Sequence, residues 1–215
     1  MRNPTLPELA DFFLMMYSQG YFPMANEPDG QLEWYYPRDR AIIQLNDHFH
    51  VSRSLRKTIR RHPFTIKIDT ATDRVIAECA SRDESWINGE YKAVFGELAR
   101  RNIVHSVEAW DGDQLVGGLY GLALGAAFIG ESMFSRVSDA SKVCLVHLVH
   151  RLRHRGIRLL DSQIINPHIE QFGTFEVPHA AYLLHLRRML QLPRRFDGDI
   201  PTFDLDQFLN SSTDA

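Results

Sequence analysis

Two apolar runs that each deliver a carboxylate constrain this chain most. AAFIGESMFS carries Glu131, and IRLLDSQII carries Asp161 and Gln163. An acid flanked in this way sits at the end of a strand or inside it. There it loses hydration, a cost that only a partner or a task offsets. Between the two runs lies an amphipathic helical pattern whose buried stripe is Leu145, Leu148, Val149 and Leu152, ended by Gly156 and capped at its start by Asp139 or Ser138. Two polar clusters joined by one helix point to a single pocket.

The other segments supply a mixed scaffold. Thr5-Leu6-Pro7-Glu8 reads as a capping box, followed by Leu9, Phe12, Phe13 and Met16 at helical spacing and a stop at Gly20. The aromatic stretch from Tyr21 to Arg40 is turn-rich, and Trp34, Tyr35 and Tyr36 fit either the core of a small appendage or a cleft wall. AIIQL reads as a short strand, FTIKI alternates as a strand, and TDRVIAECASR and GEYKAVFGELARRN read as helices. His105 to Phe134 reads as an antiparallel meander whose glycines suit bulges or close backbone approach. AAYLLHLRRML reads as the last helix, with a frayed polar tail from Asp206. Strands and helices mixed in this order give an α/β or α+β class. The length of 215 residues suits one domain, or one with a small appendage.

Composition narrows the setting. No apolar run reaches the roughly 20 residues that span a bilayer, and the N-terminus lacks a signal-peptide pattern, so no membrane association is expected. Cys79 and Cys144 stand far apart without metal spacing, which predicts reduced thiols and a cytoplasmic location. A net charge of −3 offers no bulk attraction to nucleic acid, so any such binding needs a local patch. One is present: Arg53, Arg56, Lys57, Arg60 and Arg61 fall on one face of a helix capped by Ser52, with Leu55 and Ile59 on another face. Five bases without an interspersed acid favour a phosphate-backbone contact.

The alternation of a strand puts Asp161 and Gln163 on one face, where the carboxylate can accept from the glutamine amide. His168, after Asn166-Pro167, lies next to this pocket. His147, His150 and His154 share a helical arc but interleave with Arg151, Arg153 and Arg155, so a solvated face is expected there rather than a metal site. No nucleophile elbow, P-loop or dinucleotide fingerprint occurs, and no cofactor is expected.

Taken together, YFPMA, WYYP with Arg40 following, FHVSRSLRKTIRR, SWI, HSVEAW, LVGGLYG, GESMFS, ASK and LLDSQIINPH resemble the leucyl/phenylalanyl-tRNA–protein transferase family over about Leu9 to Leu192. The resemblance implies an α+β fold similar to GCN5-related acetyltransferases: a mixed sheet with flanking helices in residues 41–205, a small N-terminal region in 1–40 and a polar tail in 206–215. It implies transfer of Leu or Phe, with Met as a further candidate, from aminoacyl-tRNA to proteins bearing N-terminal Arg or Lys, marking them for N-end-rule degradation. By the same resemblance Asp161, Gln163 and Glu131 are the catalytic set. Leu119, Phe128, Met133, Leu148, Leu152 and Leu160 line the aminoacyl side-chain pocket. Trp86 and Met24 meet the terminal adenosine of the tRNA, and Arg53, Arg56, Lys57, Arg60 and Arg61 its acceptor stem. Met24 stands where the enterobacterial form carries Trp, and Leu148 and Leu152 where it carries Phe, which reshapes the expected pocket.

Such a reaction is aminolysis of an ester already activated by the tRNA, so alignment and removal of one proton are the main demands on the protein. Two rivals are an acyl-CoA-dependent acetyltransferase and a non-catalytic RNA-binding module. The first needs a glycine-bearing pyrophosphate cradle, which RVSDASK lacks. The second leaves Asp161, Gln163 and Glu131 without a task.

Overall fold

The computed structural model describes residues 2–25, 31–61, 63–81 and 87–210. The capping box forms as the spacing predicts: Glu8 accepts from the Thr5 backbone N–H at 2.8 Å and opens helix α1, Leu6–Ser18. Its buried stripe is Ala10, Phe13 and Tyr17, one step round from the expected phase, and Phe12 stays exposed beside the Trp34 ring. Strands β1 (Phe22–Met24) and β2 (Glu33–Tyr35) pair as a small antiparallel ribbon.

Seven strands make the main sheet. In chain order they are β3 (Asp39–Ile43), β4 (Thr65–Ile68), β5 (Val104–Asp111), β6 (Gln114–Leu124), β7 (Ala127–Ser135), β8 (Leu159–Gln163) and β9 (Phe175–Pro178). Their spatial order is β4-β5-β6-β7-β8-β3-β9. Every neighbouring pair is antiparallel except β7 and β8. That one parallel pair needs a crossover, which helix α5 (Ala140–Arg155) supplies. The fold is therefore α+β: a mixed sheet with helices on both faces.

Helices α2 (Arg53–Arg60) and α5 cover one face, and α1, α3 (Thr72–Ala80) and α4 (Gly89–Arg100) cover the other. The crossover helix lies very close to β6, where a Cβ added at Gly117 would collide with Ala140. Beyond the short helix α6 (Pro167–Glu170), α7 (His179–Leu190) closes the β8-β3-β9 end with Tyr182, Leu186 and Met189. No helix among the described residues is long and apolar enough to cross a membrane.

Three local expectations need correction. Asp139 does not cap α5, because at φ 66° its side chain turns away from the first-turn N–H groups. It accepts from Thr58 at 3.0 Å instead, while the Ser135 hydroxyl accepts from Ser141 N–H at 2.9 Å. The tail expected to fray from Asp206 begins with a helix, α8 (Leu205–Asn210), whose Leu205 and Phe208 are buried in the core. The arc of His147, His150 and His154 is solvated only at His154, which is exposed. His147 and His150 pack on Phe203, and Arg151, Arg153 and Arg155 donate to backbone carbonyls of the covering segments, among them those of Phe196, Leu45 and Arg195.

Candidate active site

The parallel pairing of β7 with β8 runs from Ala127 opposite Leu159 to Ile129 opposite Asp161 and then stops. Each strand carries an irregularity just beyond. On β7 the register against β6 shifts so that Glu131 has no partner between the Gly121–Gly130 and Tyr120–Ser132 pairs. On β8 the register against β3 shifts at Ser162, and Gln163 adopts φ 67°. Bulges bend strands and re-aim side chains. Here they open a cavity of about 550 Å³ between the strands and α5.

The wall is apolar, formed by Ile43, Leu119, Met133, Leu145, Leu148 and Leu160. Glu131 and Asp161 stand at one side, and Ser162, Asn166 and His168 also reach the lining. Of the residues expected to line a side-chain pocket, Leu119, Met133, Leu148 and Leu160 line this cavity. Phe128 and Leu152 do not reach it: they are fully buried on the same side of the sheet, deeper in the core, Phe128 beside Leu160 and Leu152 one helical turn beyond Leu148.

Asp161 and Gln163 do not interact in the way that strand alternation predicts. The Asp161 carboxylate accepts from the Gln163 backbone N–H at 2.8 Å, and the Gln163 side-chain amide donates to Glu131 at 2.9 Å. The left-handed backbone at Gln163 is the cause: it folds the N–H over the preceding acid and swings the side chain towards β7.

Asp161 is completely buried and densely bonded. Arg40 Nε donates to its Oδ1 at 2.9 Å, Arg40 Nη2 to its Oδ2 at 2.6 Å, and the Tyr182 hydroxyl to Oδ2 at 2.7 Å. Burial disfavours the charge on Arg40, yet Asp161 more than offsets this and raises the guanidinium pKa. An acid bonded in this way is held in place as a fixed anchor.

Glu131 is different. Tyr91 donates to it at 2.7 Å and receives in turn a bond from Tyr120 at 3.2 Å. Desolvation pushes the Glu131 carboxyl up to about 7; the phenols of Tyr91 and Tyr17 pull against this, as does Arg40, while Asp161 adds to it. Tyr17 acts at short range although its buried hydroxyl makes no hydrogen bond of ordinary geometry. The site thus offers one carboxyl group able to exchange a proton near neutral pH, bonded to an amide, beside an apolar cavity.

The remaining expected site residues lie elsewhere. Met24 is on β1, and Trp86 falls outside the described residues. On α2, Arg56 folds back to donate to the Val51 carbonyl at 2.8 Å, and Arg60 pairs with Asp206 at 2.7 Å. Arg53, Lys57, Arg60 and Arg61 are all exposed, so Arg56 is the one member of the expected basic face that is drawn inward. Arg40, Tyr91 and Tyr182 carry much of the site, yet no role follows for them from the sequence pattern. The available signal was slight: a lone arginine entering the apolar AII of a strand, and tyrosines at buried helical phase.

An anchored acid, a carboxyl poised to exchange a proton and an amide beside an apolar pocket make the groundwork of an acyl-transfer enzyme. Comparison with known proteins specifies the class. The family model described as leucyl/phenylalanyl-tRNA protein transferase matches residues 42–187. A leucyl/phenylalanyl-tRNA–protein transferase of Herpetosiphon aurantiacus is 49% identical over 180 residues, covering 84% of this chain and 93% of the relative. Those of a Synechococcus species and Paramagnetospirillum magneticum are 48% and 50% identical, over 84% and 89% of this chain and 94% and 93% of their own lengths. The chain belongs to the leucyl/phenylalanyl-tRNA–protein transferase family and is an aminoacyltransferase.

Proposed function

We propose that this enzyme moves Leu or Phe, and Met as a further donor, from aminoacyl-tRNA to the N-terminal Arg or Lys of proteins in the cytoplasm, marking them for N-end-rule degradation. The observation that carries the reading is the Gln163–Glu131 hydrogen bond beside the apolar cavity. The acceptor's α-amine attacks the ester carbonyl, a C–N bond forms, and the C–O bond to the terminal ribose breaks. Glu131 takes the amine proton, which ends on the departing ribose oxygen. An α-amine with a reference pKa of about 7.7–8 and a carboxyl near 7 are closely matched for this exchange. Gln163 fixes Glu131 and offers its second amide N–H to the carbonyl oxygen, and Asp161 acts through the backbone of Gln163.

In this reading Leu119, Met133, Leu148 and Leu160 receive the transferred side chain, whose burial contributes about 1.5–3 kcal/mol. Phe128 and Leu152 shape that wall from behind. Arg53, Lys57 and Arg61 follow the acceptor stem, while Arg56 and Arg60 hold α2 in place. Met24 and Trp86 meet the terminal adenosine. The parting of β7 from β8 supports the likeness to GCN5-related acetyltransferases that the sequence resemblance implies, since it leaves room for an acyl group between parallel strands.

Labelled Leu, Phe and Met carried on tRNA test the proposal when offered with model proteins beginning with Arg, Lys, Asp or Glu. Transfer of Leu and Phe to Arg and Lys is expected. Transfer confined to Asp or Glu overturns the acceptor assignment, and tRNA binding without any transfer overturns the reaction.

A further inference from the structure

Charge in the site does not balance residue by residue. A buried acid, Asp161, and a half-buried one, Glu131, face a single buried cation among the described residues of the site, Arg40. Its guanidinium is 0% exposed, lies between the rings of Phe22 and Tyr182 at 4.7 and 4.6 Å, and spends its edges on Asp161 and on the Gly20 carbonyl, the latter at 2.9 Å. The rest of the surroundings are neutral donors. Tyr17 comes from α1, Tyr91 from α4, Tyr120 from β6 through Tyr91, and Gln163 from β8. Tyr182 and His179 of α7 flank Arg40 itself.

We propose that Arg40 is a positioning residue of the transfer reaction, which holds Asp161 immobile and leaves Glu131 as the acid free to exchange a proton. This rests on the reading that the Glu131–Gln163 pair performs the transfer. One fixed cation can neutralise only one of two neighbouring carboxylates, and geometry decides which: the fork of Arg40 closes on Asp161. The anchored Asp161 holds the Gln163 N–H and with it a backbone that a non-glycine residue adopts only under constraint. Gln163 then presents its amide to Glu131. The same guanidinium bonds the residue that ends the first helical segment. Gly20 has φ 87°, and a Cβ there would lie 2.5 Å from Leu183, so the carbonyl is held against α7. Docking of the N-terminal segment and assembly of the site are thereby one event.

The full-length Arg40→Met, Arg40→Lys and Tyr182→Phe variants test this by kcat, by KM for charged tRNA, and by the pH profile of kcat. In Arg40→Met, kcat should fall about 100-fold with little change in KM, as for a reacting group misplaced by about 1 Å. Its acid limb should also move to higher pH, because a cation that favours ionised Glu131 is gone. Arg40→Lys keeps the charge but not the fork, so kcat should fall while the limb stays in place. Tyr182→Phe should behave in the same way to a smaller degree. A folded Arg40→Met with unchanged kcat and limb overturns the proposal. If that variant does not fold, unchanged kcat in both Arg40→Lys and Tyr182→Phe overturns it. Failure of the unsubstituted enzyme to transfer is a separate result, which overturns the functional reading instead.

Discussion

At the residue scale the site turns on the unequal treatment of two acids. Asp161 is densely bonded, whereas Glu131 faces a cavity and, among the described residues, is bonded by a phenol and an amide. As the proposed base, Glu131 must be ionised, so kcat should rise with pH through about 7. Glu131→Gln should abolish that limb and lower kcat by about 10²–10⁴-fold. A retained limb would assign it to another group. The same carboxyl has a second, thermodynamic signature. Its folded pKa lies above the unfolded value, and the cause is desolvation of the charged form. Between about pH 4.5 and 7 the folded state therefore holds a proton that the unfolded state has lost, and stability falls as pH rises through this window. Glu131→Gln removes that penalty, which is on the order of 3 kcal/mol above pH 7. Denaturant titrations should show the variant more stable than the parent at pH 8 and nearly equal at pH 4.5. Equal stability at both would contradict the raised pKa. The group proposed to do the chemistry is thus a stability cost to the fold.

At the element scale the decisive features are interruptions of regular structure. β7 and β8 would zip together along their length, but the bulge at Glu131 and the turn at Gln163 separate them and make the cavity. Helix α2 shows the same dependence on context. Its apolar pair, Leu55 and Ile59, docks it on the core. The cations then divide: Arg56 is drawn into a local bond, Arg60 makes an exposed pair with Asp206, and Arg53, Lys57 and Arg61 are left for solvent or phosphate. Replacing these three together by Ala should weaken tRNA binding and reduce the slope of log affinity against log salt by about 2–3. Replacing Arg56 alone should change the slope little. An unaltered slope in the triple variant, measured by filter binding across salt, would remove α2 from the tRNA interface.

At the scale of the whole molecule, segments remote in sequence close over one another to complete the core. The C-terminal helix α8 seats Phe208 against Phe49, Phe203 and the His150 ring, and the carbonyls of the segment before it are held by arginines of α5. Phe208→Ala should therefore cost about 3–5 kcal/mol, read as a lowered denaturant midpoint at unchanged m-value. A loss below about 0.5 kcal/mol would show α8 to be a surface appendage. The polar composition after Asp206 hides this, because two well-placed apolar residues are enough to dock a short helix. The amino-acid sequence by itself determined most of the main-sheet strands and long helices, narrowed the class to α/β or α+β, and marked Glu131 and Asp161 as candidate site acids, since apolar periodicity and a carboxylate within an apolar strand are local signals. Its motifs also determined the family. Only the tertiary structure decided which acid is anchored and which is poised. That choice depends on Arg40 lying 121 residues from Asp161 in the chain, and on Tyr91 lying 40 residues from Glu131. Sheet order brings those partners together, and no local pattern of side chains encodes a separation of that length.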